Sequence, residues 1–114
     1  MLKLTLENFE EEILGHPGMC LVTFKHGGCH LCRGLSKVLK KLEQEYGEQI
    51  KFATVDSMEQ KYITNFFEVD GVPTIFWFVD GDGVEIEYPE SPNSLSGYGK
   101  KYIISFLKSV LDDE

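Results

Sequence analysis

Cys29-His30-Leu31-Cys32 takes its meaning from what stands on either side of it. Upstream, Cys20-Leu21-Val22-Thr23-Phe24 is a short, apolar, β-rich run set between glycines, the pattern of a strand buried on both faces. Downstream, Leu31, Leu35, Val38, Leu39, Leu42 and Tyr46 recur at helical spacing, while Lys37, Lys40, Lys41, Glu43 and Glu45 fill the opposite face. Gly47 ends that helix. The two cysteines therefore fall where a central strand turns into the first turn of an amphipathic helix.

Working outward, Lys3 to Thr5 reads as a strand, and Thr5 or Asn8 can cap a helix through Phe9, Ile13 and Leu14 that stops at Gly15-His16-Pro17-Gly18. Beyond the central helix, Ile50 to Val55 is a second apolar strand. Ser57 can cap a helix carrying Met58, Tyr62, Ile63, Phe66 and Phe67, which Gly71-Val72-Pro73 breaks. Thr74 to Val79 is the next strand. Asp80-Gly81-Asp82-Gly83 is tight-turn chemistry, so Val84 to Tyr88 should return antiparallel as a hairpin. Pro89 to Gly99 is a polar loop, and Tyr102, Ile103, Phe106, Leu107, Val110 and Leu111 form the apolar stripe of a last helix.

The order βαβαβαββα predicts an α/β fold with a mixed central sheet. Three parallel-type strands, joined by helical crossovers, are expected beside a C-terminal antiparallel hairpin strand, with helices on both faces.

The chain has 114 residues, which predicts one domain over residues 1–114. Hydrophobic residues make up 42%, enough to build a core without disulfides. Nineteen Asp and Glu against 11 Lys and Arg leave a net charge of -8, which repels phosphate backbones and anionic lipid. Nucleic-acid and membrane roles are therefore not expected. Three cysteines do not make a disulfide framework. With no long apolar run and no basic-then-apolar leader, the expectation is a soluble, cytoplasmic protein and a monomer.

The chemistry sits in the C-x-x-C. A first helical turn offers unpaired backbone N–H groups and the positive end of the helix dipole, so a thiolate is stabilised there. Cys29, nearer the loop, is the expected attacking sulfur, and Cys32, one turn inward, can resolve what Cys29 has attacked. His30 lies between them and carries partial positive charge near neutral pH in an unperturbed imidazole, which would favour the Cys29 thiolate. Lys25 and Arg33 flank the loop and can act in the same sense. A metal reading is weaker. His26, Cys29, His30 and Cys32 supply zinc-type ligands, but adjacent residues cannot easily share one ion, so no metal is expected. Cys20, inside a strand, reads as core packing, Trp77 between Phe76 and Phe78 as sheet packing, and Asp112-Asp113-Glu114 as a solvated tail.

In these motifs the chain resembles the thioredoxin superfamily almost end to end. Leu4-Thr5-Leu6-Glu7-Asn8-Phe9 is similar to that family's first strand and helix, Leu21-Val22-Thr23-Phe24 to the strand feeding its active site, and Asp80-Gly81-Asp82-Gly83 to its hairpin turn. Gly71-Val72-Pro73-Thr74-Ile75 resembles the loop that carries a cis proline opposite the cysteines. The resemblance implies substrate contact at Gly28, Val72 and Pro73, with Leu31 and His30 replacing the usual Gly-Pro pair between the cysteines. Gly28 replaces a Trp. The family's buried acid is Thr23 here, and its Lys partner is expected to be an apolar residue near Phe52. The stretch from Tyr88 to Gly99 somewhat resembles the loop of protein disulfide isomerase domains.

The implied function is thiol–disulfide oxidoreduction. Cys29 and Cys32 reduce protein disulfides, the only redox group is their own disulfide, no cofactor is bound, and an upstream reductase supplies electrons. The alternatives are a non-catalytic or redox-sensing binding module of the same fold, and a disulfide isomerase or oxidase.

Overall fold

The computed structural model describes residues 1–86 and 100–112. Five strands form one sheet in the order β1-β3-β2-β4-β5. They are β1 (Leu2–Lys3), β2 (Met19–Lys25), β3 (Ile50–Asp56), β4 (Thr74–Val79) and β5 (Asp82–Ile86). Helix α1 (His30–Tyr46) joins β2 to β3, α2 (Lys61–Phe66) joins β3 to β4, and α3 (Lys100–Asp112) follows the last strand. Tyr88, the loop from Pro89 to Gly99 and the end of the acidic tail lie outside the described residues.

Strands β1 and β2 both run parallel to β3. The expectation that every helix-separated strand runs parallel is corrected at β4, which is antiparallel to β2. The chain enters β4 at the end of the sheet where β3 finishes: Asp56, the last residue of β3, is level with Lys25 of β2, and Thr74, the first of β4, with the adjacent Phe24. A strand that starts at that end can only run back across the sheet.

Alternation along the strands divides the core. Leu21, Ile50, Phe52, Ile75, Trp77 and Ile86 face Leu35, Leu39 and Leu42 of α1 and Ile103 and Leu107 of α3. On the other side, Cys20, Val22, Phe24, Val55, Phe76 and Phe78 meet Leu4, Phe9, Ile13 and Ile63. Trp77 packs edge-on against Phe106 at 5.4 Å, in keeping with sheet packing. Truncating a side chain such as Leu39 to alanine would cost about 2–5 kcal/mol.

Local details differ from the sequence reading. The first helical segment is a π turn, Glu10–Leu14, closed by Gly15 N–H to the Glu10 carbonyl at 2.8 Å. Thr5 is not in the strand; its N–H donates to Asn8 Oδ1 at 2.7 Å and starts that turn. Asp56, not Ser57, satisfies the amides before α2, its Oδ1 accepting from Met58 and Glu59 N–H at 2.9 and 3.1 Å. Because α2 is short, only Ile63 of its expected apolar set is buried, and Phe66 is 69% exposed. The hairpin turns on two residues, Asp80 and Gly81, both with positive φ, so Asp82 and Gly83 already belong to β5. Gly81 is required twice over, since a Cβ there would stand 2.3 Å from the Leu14 carbonyl oxygen.

Candidate active site

The C-terminal end of β2 and the N-terminal end of β4 lie side by side, with Phe24 in register with Thr74. The chain leaving β2 reaches Cys29, and the chain entering β4 brings Val72 and Pro73. The Val72–Pro73 peptide bond is cis. The antiparallel setting of β4 thus brings a loop distant in sequence against the C-x-x-C.

Cys29 is the N-cap of α1, in extended conformation, and Cys32 lies inside the first turn. The helix begins one residue earlier than its apolar pattern suggests, at His30. Cys29 Sγ accepts the Cys32 N–H at 3.1 Å, so one orphan amide of the helix end is aimed at that sulfur. The Cys29 thiol in turn points at the Val72 carbonyl, 3.8 Å away. Cys29 is half-buried, whereas Cys32 is 3% exposed. Burial first, then the hydrogen bond and charge of Cys29, push the Cys32 thiol up to about 12, while the His26 backbone and the Lys25 ammonium pull the other way. Cys32 is therefore a thiol at neutral pH.

Around the pair, Gly28 and Leu31 are exposed, and the Gly28 N–H donates to His26 Nδ1 at 3.1 Å. The Arg33 guanidinium lies 3.1 Å from His30 Nδ1. Guanidinium can only donate, so His30 Nδ1 accepts in this contact, and Arg33 brings a fixed positive charge to this corner. Lys25 lies on the Cys32 side of the site. Among the described residues, no group of three or more His, Cys, Asp or Glu is arranged to hold a metal ion.

Thr23, on the α1 face of β2, is 2% exposed, and its Oγ1 has no hydrogen-bond partner among the described residues. Its register neighbour on β3 is Thr54, also buried. The expectation of an apolar partner near Phe52 is corrected here: a second hydroxyl stands beside the first. Alternation explains it, since Phe52 and Thr54 share a face and Thr54 is the one level with Thr23. Cys20 is fully buried and desolvation pushes its thiol up, which suits core packing.

The thioredoxin family model matches residues 1–101 of this chain. The chain belongs to the thioredoxin family. It is 31% identical over 105 residues to the thioredoxin of Acetoanaerobium sticklandii, covering 90% of this chain and 100% of that protein. Thioredoxin C-2 of Corynebacterium nephridii is 28% identical over 94 residues, covering 82% and 87%. A probable protein disulfide-isomerase A6 of Medicago sativa is 34% identical over 99 residues, 83% of this chain and 27% of that longer protein. Thioredoxin-family membership makes the chain a thiol–disulfide oxidoreductase acting on protein disulfides, with Cys29 and Cys32 positioned as its C-x-x-C pair.

Two features beside the thioredoxin-family pair escaped the sequence reading. A cavity of about 390 Å³ opens next to Cys32, with Lys25, Arg33, Lys37, Lys40 and Asp56 in its wall. A second, of about 210 Å³, opens at Val72 with Glu68, Asp70 and Glu85. The spacing of Arg33, Lys37 and Lys40 along one helix face carried a signal for the first. Nothing local announced the second, because its acids come from the end of α2, the loop after it and β5.

Proposed function

We propose that Cys29 is the nucleophile and Cys32 the resolving thiol of a dithiol reductant that occupies residues 1–114 as one domain. The Cys29 thiolate attacks one sulfur of a substrate disulfide, forming a mixed disulfide and releasing the other sulfur as a thiolate that takes up a proton. Cys32 then gives up its proton and attacks Cys29 Sγ. The Cys29–Cys32 disulfide forms, the second substrate thiol leaves, and two electrons have passed to the substrate. An upstream reductase returns two electrons to the pair, and no bound cofactor takes part.

The observation that carries this reading is the asymmetry of the two sulfurs. Cys29 receives a helix-end N–H and faces the Val72 carbonyl, while Cys32 is covered and kept protonated. Val72, Pro73 and the exposed Gly28 would then form the substrate surface, with the Val72 backbone pairing with an extended segment of the substrate. Leu31 would add apolar contact, and Arg33, Lys25 and His30 would tune the pair electrostatically. A reducing, cytoplasmic setting is supported by the thioredoxins among the relatives, and the chain would work as a monomer.

Substituting Cys32→Ser removes the resolving thiol, so incubation with a peptide disulfide should accumulate a mixed disulfide mapped to Cys29 by non-reducing mass spectrometry. Cys29→Ser should trap none. A mixed disulfide found on Cys32 in the Cys29→Ser protein, or none in either variant, overturns the assignment.

A further inference from the structure

We infer that the cavity beside Cys32 selects disulfide substrates that carry carboxylates on one flank of their cysteine, a reading that rests on the reductase assignment above. Four of the chain's 11 Lys and Arg residues, Lys25, Arg33, Lys37 and Lys40, line this one cavity. Among the described residues one carboxylate stands in the wall, that of Asp56, whose Oδ1 accepts two backbone N–H groups, so four cationic groups face one acid. His26 also lines it, but its Nδ1 is already an acceptor for the Gly28 N–H. The wall is thus strongly cationic on a chain whose net charge is -8.

The opposite flank has the reverse sign. Val72, whose carbonyl lies 3.8 Å from Cys29 Sγ, also borders the cavity lined by Glu68, Asp70 and Glu85. The attacking sulfur therefore sits between a cationic cleft entered past Cys32 and an acidic one entered past Val72. A substrate segment docked across Cys29 meets both. Carboxylates on the flank over Lys37 and Lys40 are attracted, and the same carboxylates on the other flank meet Glu68 and Glu85. At about 0.15 M salt the screening length is about 8 Å, so acids elsewhere on the molecule are muted while charges inside the clefts still act.

Three symmetric peptide disulfides test this, each built from a single-cysteine peptide. One carries two glutamates N-terminal to the cysteine, one carries them C-terminal, and one has glutamines at both places. The two acidic peptides have the same net charge, so the field of the whole protein cannot separate them. Release of peptide thiol from the fully reduced protein is followed in single turnovers at about 0.15 M and about 1 M salt, where the screening length falls to about 3 Å.

One acidic isomer should react about three- to tenfold faster than the other and faster than the neutral peptide at the lower salt, the low end of what charged clefts achieve by steering. The preference should vanish at the higher salt. Lys37→Gln combined with Lys40→Gln, both on the exposed face of α1, should bring the favoured isomer down towards the neutral peptide and leave the neutral peptide's rate unchanged. Equal rates for the two isomers, or a double variant that slows all three peptides alike, overturn the inference while the reductase reading stands. A wild-type protein that reduces none of the three overturns both.

Discussion

The two clefts that flank Cys29 differ in how they are built as well as in charge. The cationic one is mostly a single helix face, with Arg33, Lys37 and Lys40 stacked along α1 and Lys25 added from the end of β2. The acidic one is assembled from three separate places: Glu68 after α2, Asp70 before the cis Val72–Pro73 bond, and Glu85 on β5. The first exists wherever α1 forms. The second requires β4 and β5 to be in register. The difference teaches that one active site can take its two flanks from different levels of organisation, and that each can be altered without the other.

The largest effect expected concerns the sulfur at the cationic mouth. Cys32, pushed up to about 12, stays protonated at neutral pH, and only a thiolate reacts with iodoacetamide. Its alkylation in the reduced protein should therefore rise about tenfold per pH unit, roughly a hundredfold between pH 7 and 9, while Cys29 is modified first throughout. Peptide mapping after timed quenching reads both sites. Lys25→Gln should slow Cys32 further, since that ammonium now favours its thiolate. A Cys32 rate indifferent to Lys25 would break the link between the cationic cleft and the resolving thiol.

A smaller change should sharpen the contrast from the acidic side. Glu68→Gln with Glu85→Gln removes two charges from exposed positions and should raise the rate of the disfavoured acidic peptide about two- to threefold, at the weak end of charge steering. The favoured isomer should be untouched. If both isomers speed up equally, the acids act through the overall field and the comparison between flanks fails.

The smallest effect concerns Arg33. A fixed positive charge near Cys29 stabilises the thiolate, hence the reduced form, and makes the couple more oxidising. Arg33→Gln should then make the couple more reducing by about 10 mV, about a twofold change in the equilibrium constant of a two-electron couple. Equilibration with a glutathione buffer should give the same shift at pH 6.5 and 8.5. A shift that differs between the two would break the assignment to a fixed charge.

Much of this site was legible beforehand because it is local. The junction of a buried strand with an amphipathic helix placed Cys29 at a helix end, and the structure adds only that Cys29 itself is the cap. Trp77 and Cys20 read correctly as packing because strand alternation already confines their side chains. The failures were of another kind. Ser57 was a plausible cap, but Asp56, still in β3, has the longer reach to the Met58 and Glu59 amides. Met58, Tyr62 and Phe66 looked like a core stripe, yet a helix of six residues cannot bury a full stripe.

What the sequence alone determined are the features set by short-range physics: hydrophobic period, turn chemistry at Asp80 and Gly81, and a C-x-x-C at a helix start. Tertiary structure alone decided the direction of β4, because strand pairing joins residues far apart in the chain and no local pattern encodes which way a strand enters a sheet. That direction puts Val72 opposite Cys29 and brings Glu85 beside Glu68 and Asp70. The acidic flank of the reactive sulfur therefore exists only once the sheet has closed, whereas the cationic one is already written along α1.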